Sequence, residues 1–382
     1  MSRCKKEDSL VSIGDMNFLN ALVKQGIDTN GDGKISEAEA ENVISLNVSG
    51  NLEVISGGEY QYESGKISDL RGIEAFINLD TLDCSCNELK GIDISRLGKL
   101  KFLNCTANHL TSLDISDNPF LLTLYCDANL LTAIDISNNN GLVNLGCAGN
   151  RLSSIDLSEN ADLESLNCDW NLLTTLDISK NSSLVNLECS GNKLTTLSVA
   201  GNPDLKQMVC SENLFTSLDI SDHAKLKYLN CSQNLLTSVD ISGNSSLEEF
   251  YCGWNMLTYM DLSPGIALKE LFCNDNKLTG LDVTKNENLE VLFCYNNNLS
   301  TLDVSFNKSL TQIYCGRNKL TSLDLSSNTL MGTVYHYGYY YILDVSFMPE
   351  LQMVCLYENM ASHLSDVYRN GSPNVYFTTN CQ

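Results

Sequence analysis

The sequence predicts a leucine-lined solenoid: a flattened right-handed coil with short parallel strands on two faces and a small helical cap at its N-terminal end. Three observations carry this. Twelve cysteines, from Cys84 to Cys315, fall every 21 residues without a slip. Within that period the phrases L-x-x-L-x-C-x-x-N and L-x-x-L-D-I-x-x-N are near-duplicates, so each unit folds as two similar halves. Ahead of the array, residues 28–39 spell an oxygen-rich loop between two short amphipathic stretches. A unit this short cannot bury its own leucines and must stack on its neighbours.

Composition sets the outer bounds. With 43% apolar residues, 19% charged and only five prolines among 382, the chain can pack a core. A net charge of −23 leaves no basic footprint for nucleic acid and would be repelled by an anionic membrane surface. No apolar run is long enough to span a bilayer. The first residues place Cys4 before Lys5, Lys6, Glu7 and Asp8. This resembles the mature start of a bacterial lipoprotein, which implies an exported, surface-held protein with a lipid anchor at Cys4. The alternative is a chance cysteine in a loose tail, residues 1–14.

The cap is expected over residues 15–50. Residues 28–39 read D-T-N-G-D-G-K-I-S-E-A-E, which resembles an EF-hand loop and the related dockerin loop. The resemblance implies one bound Ca²⁺. Asp28, Asn30 and Asp32 would give side-chain oxygens, Lys34 its carbonyl, Ser36 a direct or water-borne contact, and Glu39 both carboxylate oxygens. Gly33 would permit the sharp turn. A helix carrying Phe18, Leu19, Leu22 and Val23 on one face should precede the loop, and another around residues 37–44 should follow. A single loop leading straight into Leu46 reads as a structural cap. Residues 51–66, rich in Gly, read as an inserted loop.

Each L-x-C stretch reads as a strand whose flanking residues point inward and whose middle residue points out. The full unit, L-x-x-L-x-C-x-x-N-x-L-T-x-L-D-I-S-x-N-x-x, resembles the leucine-rich-repeat family, in the 21-residue, cysteine-containing type of bacterial surface proteins. The resemblance covers about residues 67–359, with 360–382 left as a C-terminal cap.

The cysteines lack the local C-x-x-C pairs of a zinc site and read as packed free thiols. Cys355 and Cys381 lie apart from the ladder and could form a disulfide in an exported protein. The Asn three residues after each Cys reads as a turn-forming ladder. A column of aspartates runs from Asp93 to Asp324, interrupted only at Ser198. Where the Asp is lost the Ser two residues on is lost too, as Ala200, which hints that each Asp is held by its Ser. A cation-binding stripe is the other reading of that column.

One position before the Cys, the outward column varies between coils and ends in Tyr251, Phe272, Phe293 and Tyr314. Tyr335 is expected to continue it, with His336 in the Cys slot and Tyr295, Tyr337 and Trp254 nearby. Exposed rings at this density mark a binding face. Two other readings stay open: a stacking ladder that only stiffens the sheet, or a stripe covered by the C-terminal segment. On the exposed reading, replacing Phe272 and Phe293 with Ser should leave the fold nearly intact. No catalytic constellation appears. The leading reading is a non-catalytic exported protein that binds a protein or glycan through its repeat surface. The alternatives are a structural spacer and, far behind, a glycan-active enzyme.

Overall fold

In this computed structural model the described residues are 9–50, 52–55, 59–62, 66–333 and 341–381. Cys4, Tyr335, His336 and Tyr337 therefore lie outside them. The chain divides into two compact units, Met1–Leu184 and Val185–Gln382.

The first unit begins with the cap. Helix α1, Met16–Lys24, starts where the Asp15 carboxylate accepts the N–H groups of Asn17 and Phe18 at 2.8 and 3.2 Å. Phe18 and Leu22 are wholly buried, whereas Val23 is exposed, so the apolar face is narrower than its sequence spacing implied. Helix α2, Glu37–Glu41, opens with a reciprocal cap between Ser36 and Glu39. Three residues later the chain enters the strand Ser45–Asn47, which pairs in parallel with Thr81–Asp83. The cap thus delivers the first coil itself. The intervening insertion is not a plain loop: Leu52–Ile55 and Glu59–Tyr62 pair antiparallel.

The regular coils follow the predicted logic. In the first unit, Thr81–Asp83, Phe102–Asn104, Thr123–Tyr125, Asn144–Gly146 and Ser165–Asn167 pair in parallel, in register at the 21-residue step. The central Leu of each strand and the Cys that follows are buried. The Asn ladder then closes the turn. Asn108 Nδ2 donates to the carbonyls of Cys84 and Cys105, both at 3.0 Å, while its Oδ1 accepts the N–H of Leu89. Buried backbone groups that no strand pairs are satisfied in this way, coil after coil.

In the second unit, among the described residues, nine strands of the long parallel sheet run from Asn186–Glu188 to Val367–Tyr368. Here the period breaks. Ile313 pairs with Leu343 and Tyr314 with Asp344, a step of thirty residues in place of twenty-one. Val345, not His336, therefore fills the Cys slot of that coil, and Asp344, not Tyr335, continues the outward column. The last strand of this sheet lies beyond residue 359, so the coils run on into the segment expected to be only a cap. Cys355 and Cys381 are joined by a disulfide, with Cα atoms 5.6 Å apart.

The second face differs from expectation. Among the described residues a ladder forms there only at Ser322–Leu325, Met353–Leu356 and Tyr376–Thr378. In the regular coils the N–H that follows the L-D-I stretch goes to the Asp two residues back, as Ser95 N does to Asp93 Oδ1 at 3.1 Å. The same local bond occurs within the first ladder, where Asp83 Oδ1 accepts the Ser85 N–H at 3.0 Å, so it does not by itself exclude pairing. Where the second ladder does form, Asp324 keeps its bond to the Ser326 N–H at 2.9 Å and pairs with Cys355, which pairs in turn with Thr378.

Candidate functional site

Three features were singled out in the sequence, and the structure treats them differently. The EF-hand-like loop is the most self-contained. Gly31 and Gly33 are both left-handed, at φ +76°, where a side chain would be strained. The turn they allow aims loop N–H groups at the acidic side chains. Gly31 donates to Asp28 Oδ1 at 2.7 Å, Gly33 to Asp28 Oδ2 at 2.8 Å, and Asp32 to Asn30 Oδ1 at 2.8 Å. Glu39 reaches back from α2, taking the N–H of Thr29 at 2.8 Å and that of Ser36 at 2.9 Å. Burial alone would raise its carboxyl. The bonds from Ser36 and Thr29 outweigh burial and hold it at about 2. The donor set is all oxygen, the kind a hard divalent cation takes, although the carboxylate oxygens of Asp28, Asp32 and Glu39 do not all lie within 4.8 Å of one another here and are turned to the loop N–H groups.

A second observation explains how one loop stands alone. Ile35 is buried, its carbonyl accepts the N–H of Val11 at 2.8 Å, and Leu10 forms an antiparallel bridge with Ser36. Residues 9–11 thus give the loop an extended backbone partner. The cap is also tied to the coil behind it. Asp15 Oδ2 accepts both the N–H and the hydroxyl of Ser68 at 2.8 Å, and Asn78 Nδ2 donates to the Glu41 carbonyl at 2.7 Å.

The aspartate column is held as its co-loss with Ser implied. Asp93, Asp114, Asp135 and Asp219 each accept the hydroxyl of the following Ser at 2.7–2.8 Å, and Thr284 serves Asp282 likewise. At Asp93 the Ser95 hydroxyl, followed by its N–H, holds the carboxyl below the usual range. The column is a run of local turns on an exposed face.

The aromatic column is a stack. Ring centroids lie 4.5 Å apart for Tyr251 and Phe272, 4.4 Å for Phe272 and Phe293, and 4.3 Å for Phe293 and Tyr314. Its expected exposure fails at the C-terminal end. Phe293 is 3% and Tyr314 8% exposed, and outward-facing Val291 is fully buried, whereas Tyr251 and Phe272 are half-buried. The chain entering the next coil lies against them: Tyr314 Oη and Gln312 Nε2 donate to the Tyr341 carbonyl at 2.8 and 3.1 Å. Phe293 and Tyr314 are core, and a pair of serines at 272 and 293 would not be innocent.

Trp254 belongs to a different surface, which sequence reasoning missed, and Tyr295 packs against the aromatic column while also bordering that surface. The residue two after each Cys is left-handed in coil after coil, as at Ala107 (φ 56°), Ala128, Trp170, Trp254, Asp275, Asn296 and Arg317 (φ 53°). A non-glycine residue there costs about 1–2 kcal/mol. The side chains at this position line the rim where the strands end. Both tryptophans of the chain, Trp170 and Trp254, stand on it, each 57% exposed.

In the second unit the rim encloses a groove of about 360 Å³ running from Trp254 past Asp275, Asn296 and Arg317 to Phe347. Tyr295, Asp344 and Tyr368 form its inner wall. The Arg317 guanidinium lies over the Phe347 ring, 4.7 Å from its centroid. Asn296 donates to Asp275. Gly316 makes room for the wall: a Cβ there would sit 2.7 Å from Asp344 Oδ1. Burial raises the Asp344 carboxyl against the bonds from Ser346 and the nearby Arg317. The signal was present in the sequence, because this column varies between coils as much as the aromatic one. It was hidden because its left-handed geometry cannot be read from a period.

No family model matches the chain, and no curated protein matches it. Solved structures do. The functional domain of InlJ from Listeria monocytogenes, described as including a cysteine ladder, is 31% identical over 85% of this chain and 70% of that one, with a TM-score of 0.71. An internalin, InlF, of the same organism is 17% identical, covers 99% of both chains and has a TM-score of 0.64. The leucine-rich-repeat ectodomain of the receptor kinase GASSHO1/SCHENGEN3 from Arabidopsis thaliana, in complex with Casparian strip integrity factor 2, is 20% identical. It matches 81% of this chain and 40% of that one, with a TM-score of 0.65. Among the described residues no helix is long and apolar enough to cross a membrane.

Proposed function

Because the chain belongs to the internalin type of leucine-rich-repeat protein, we propose that it is an exported, non-catalytic recognition protein that binds a protein or glycan partner along the turn rim of its second unit. The observation that carries this is the run Trp254, Asp275, Asn296, Arg317. Other coils place Gly149, Gly191, Ala107, Ala128, Trp170, Glu212 or Gln233 at this left-handed position, and what distinguishes the run is that its four side chains line one groove with Tyr295, Phe347 and Tyr368. The groove offers rings, carboxylates, an amide and a guanidinium, a set suited to holding a ligand. A spacer would have no need of it.

In this reading the loop at Asp28–Glu39 takes one Ca²⁺ through Asp28, Asn30, Asp32, Glu39, the Lys34 carbonyl and Ser36. The ion would stiffen the cap that covers the first coil. Cys4 would carry the lipid anchor that holds the protein at the cell surface. The test is to probe arrays of glycans and protein ectodomains with the wild-type chain and with Trp254→Ala. Binding that disappears in the variant supports the proposal. Binding that is retained in full places the partner elsewhere, and a blank array for both chains favours a spacer.

A further inference from the structure

We propose that the rim groove of the second unit is built for a short linear oligosaccharide lying along the coil axis, one sugar per coil. The inference rests on the recognition reading above and names the ligand's chemistry.

The first argument is the donor set. Asp275 and Asp344 can only accept hydrogen bonds, Arg317 can only donate, and Asn296 can do both. A cationic side chain would find the carboxylates but meet the guanidinium. An anion would find Arg317 but meet two carboxylates. A hydroxyl donates and accepts at once, so a ligand dense in hydroxyls can use every group on the rim. The second argument is the rings. Trp254 stands at one end of the groove and Phe347 at the other, with Tyr295 and Tyr368 between them on the wall. Arg317 covers one face of Phe347 and Tyr341 stacks on Tyr368, which leaves Trp254, 57% exposed, as the main flat surface for the C–H face of a pyranose ring.

The third argument is pitch. Trp254, Asp275, Asn296 and Arg317 occupy the same place in four consecutive coils, and neighbouring strands lie about 4.8 Å apart. The rim from Trp254 to Phe347 is therefore on the order of 20 Å long. A pyranose in a linear chain repeats at a length close to this step, so successive sugars can meet equivalent positions. Same-face side chains of an extended peptide repeat at about 6.8 Å and would fall out of step. The groove is small, about 360 Å³ against roughly 300–1,000 Å³ for ligand pockets generally.

The chain contains two tryptophans at equivalent left-handed positions, which makes Trp170 an internal control for Trp254. The test titrates the full chain with chitotetraose, cellotetraose, laminaritetraose, mannotetraose and a tetrasaccharide of N-acetyllactosamine, together with each parent monosaccharide. N-acetyl-lysine methylamide serves as a cationic comparison. The indole N–H signals of both tryptophans are followed by NMR. The expected result is a saturable shift of Trp254 alone with at least one tetrasaccharide, and tighter binding as the oligomer lengthens from one unit to four. The shift should be lost in Asn296→Ala and in Arg317→Ala. Alanine is already tolerated at this backbone position, at Ala107 and Ala128, so both variants should fold. The proposal is overturned by no shift with any saccharide, by equal shifts at both tryptophans, by affinity independent of length, or by a shift with the lysine derivative alone. A protein partner whose binding needs Trp254, found while every saccharide is silent, would remove this inference and leave the recognition reading standing.

Discussion

Phe293→Ser separates the structure from the simplest reading of the sequence. A ring alternating with an inward Leu should be outward and cheap to lose, within about 0.5 kcal/mol. In the structure Phe293 is 3% exposed and lies between Phe272 and Tyr314, with centroids 4.4 and 4.3 Å away. Truncating a buried Phe costs about 3–5 kcal/mol, and two ring contacts at roughly 0.5–1.5 kcal/mol each fall within that sum. The Ser hydroxyl adds a polar group to an apolar site. The expected loss is therefore about 3–5 kcal/mol, equal to or larger than the roughly 2–5 kcal/mol for Leu292→Ala on the inward side. Urea denaturation followed by far-UV circular dichroism, with Trp254→Ala as the exposed reference, measures all three. A Phe293→Ser variant that unfolds within about 0.5 kcal/mol of wild type would show the stack to be an open face.

Calorimetry should find one Ca²⁺ bound with a dissociation constant of roughly 10⁻⁴–10⁻³ M or tighter, and Glu39→Gln should abolish the heat; unchanged binding in that variant would refute the loop assignment. Burial pushes the ladder thiols up, to about 12 for Cys105, Cys231 and Cys273, so a thiol reagent should leave them unlabelled in the native state while reaching Cys86; rapid labelling of the ladder without denaturant would contradict the inward placement. The Ser hydroxyls and N–H groups hold Asp93 and Asp114 below 3.8, so their contribution is complete above that pH and is lost as pH falls through the lowered values. Carboxyl NMR titration of Ser116→Ala should show the Asp114 midpoint moving up toward 3.8, and an unmoved midpoint would show that the hydroxyl does not hold it.

Much of the fold was legible because a repeat array samples each position many times. The Leu and Cys positions, the Asn turn ladder and the Asp–Ser pairing all follow from what recurs. The departures arise where recurrence stops. Ile313 steps to Leu343 rather than to a residue 21 places on, so no period could place Asp344 or Val345, or the Tyr341 that packs against Phe293 and Tyr314. The missing strands of the second face were not legible either. The L-D-I phrase matches the L-x-C phrase in hydrophobic pattern, and its Asp takes a backbone N–H just as Asp83 and Asn104 do within the first ladder, so pattern does not separate the two faces. The rim column's variation between coils was visible in the sequence, but its geometry was not, since the spacing that identified the strand says nothing of the left-handed residue after it. His223 shows how far the architecture bends to keep its bonds. It takes the place of an Asn and directs Nε2 to the Val199 carbonyl at 3.0 Å, as Asn244 does to Ile220.

The central claim is recognition through the rim of the second unit, and the direct measurement compares the two tryptophans against the strongest partner from the arrays. Trp254→Ala should weaken binding by about 2 kcal/mol or more, roughly thirtyfold, as expected for an aromatic anchor. Trp170→Ala, made at the same backbone geometry and the same exposure, should leave the affinity unchanged. Equal effects from both substitutions, or none from Trp254→Ala, would contradict the account.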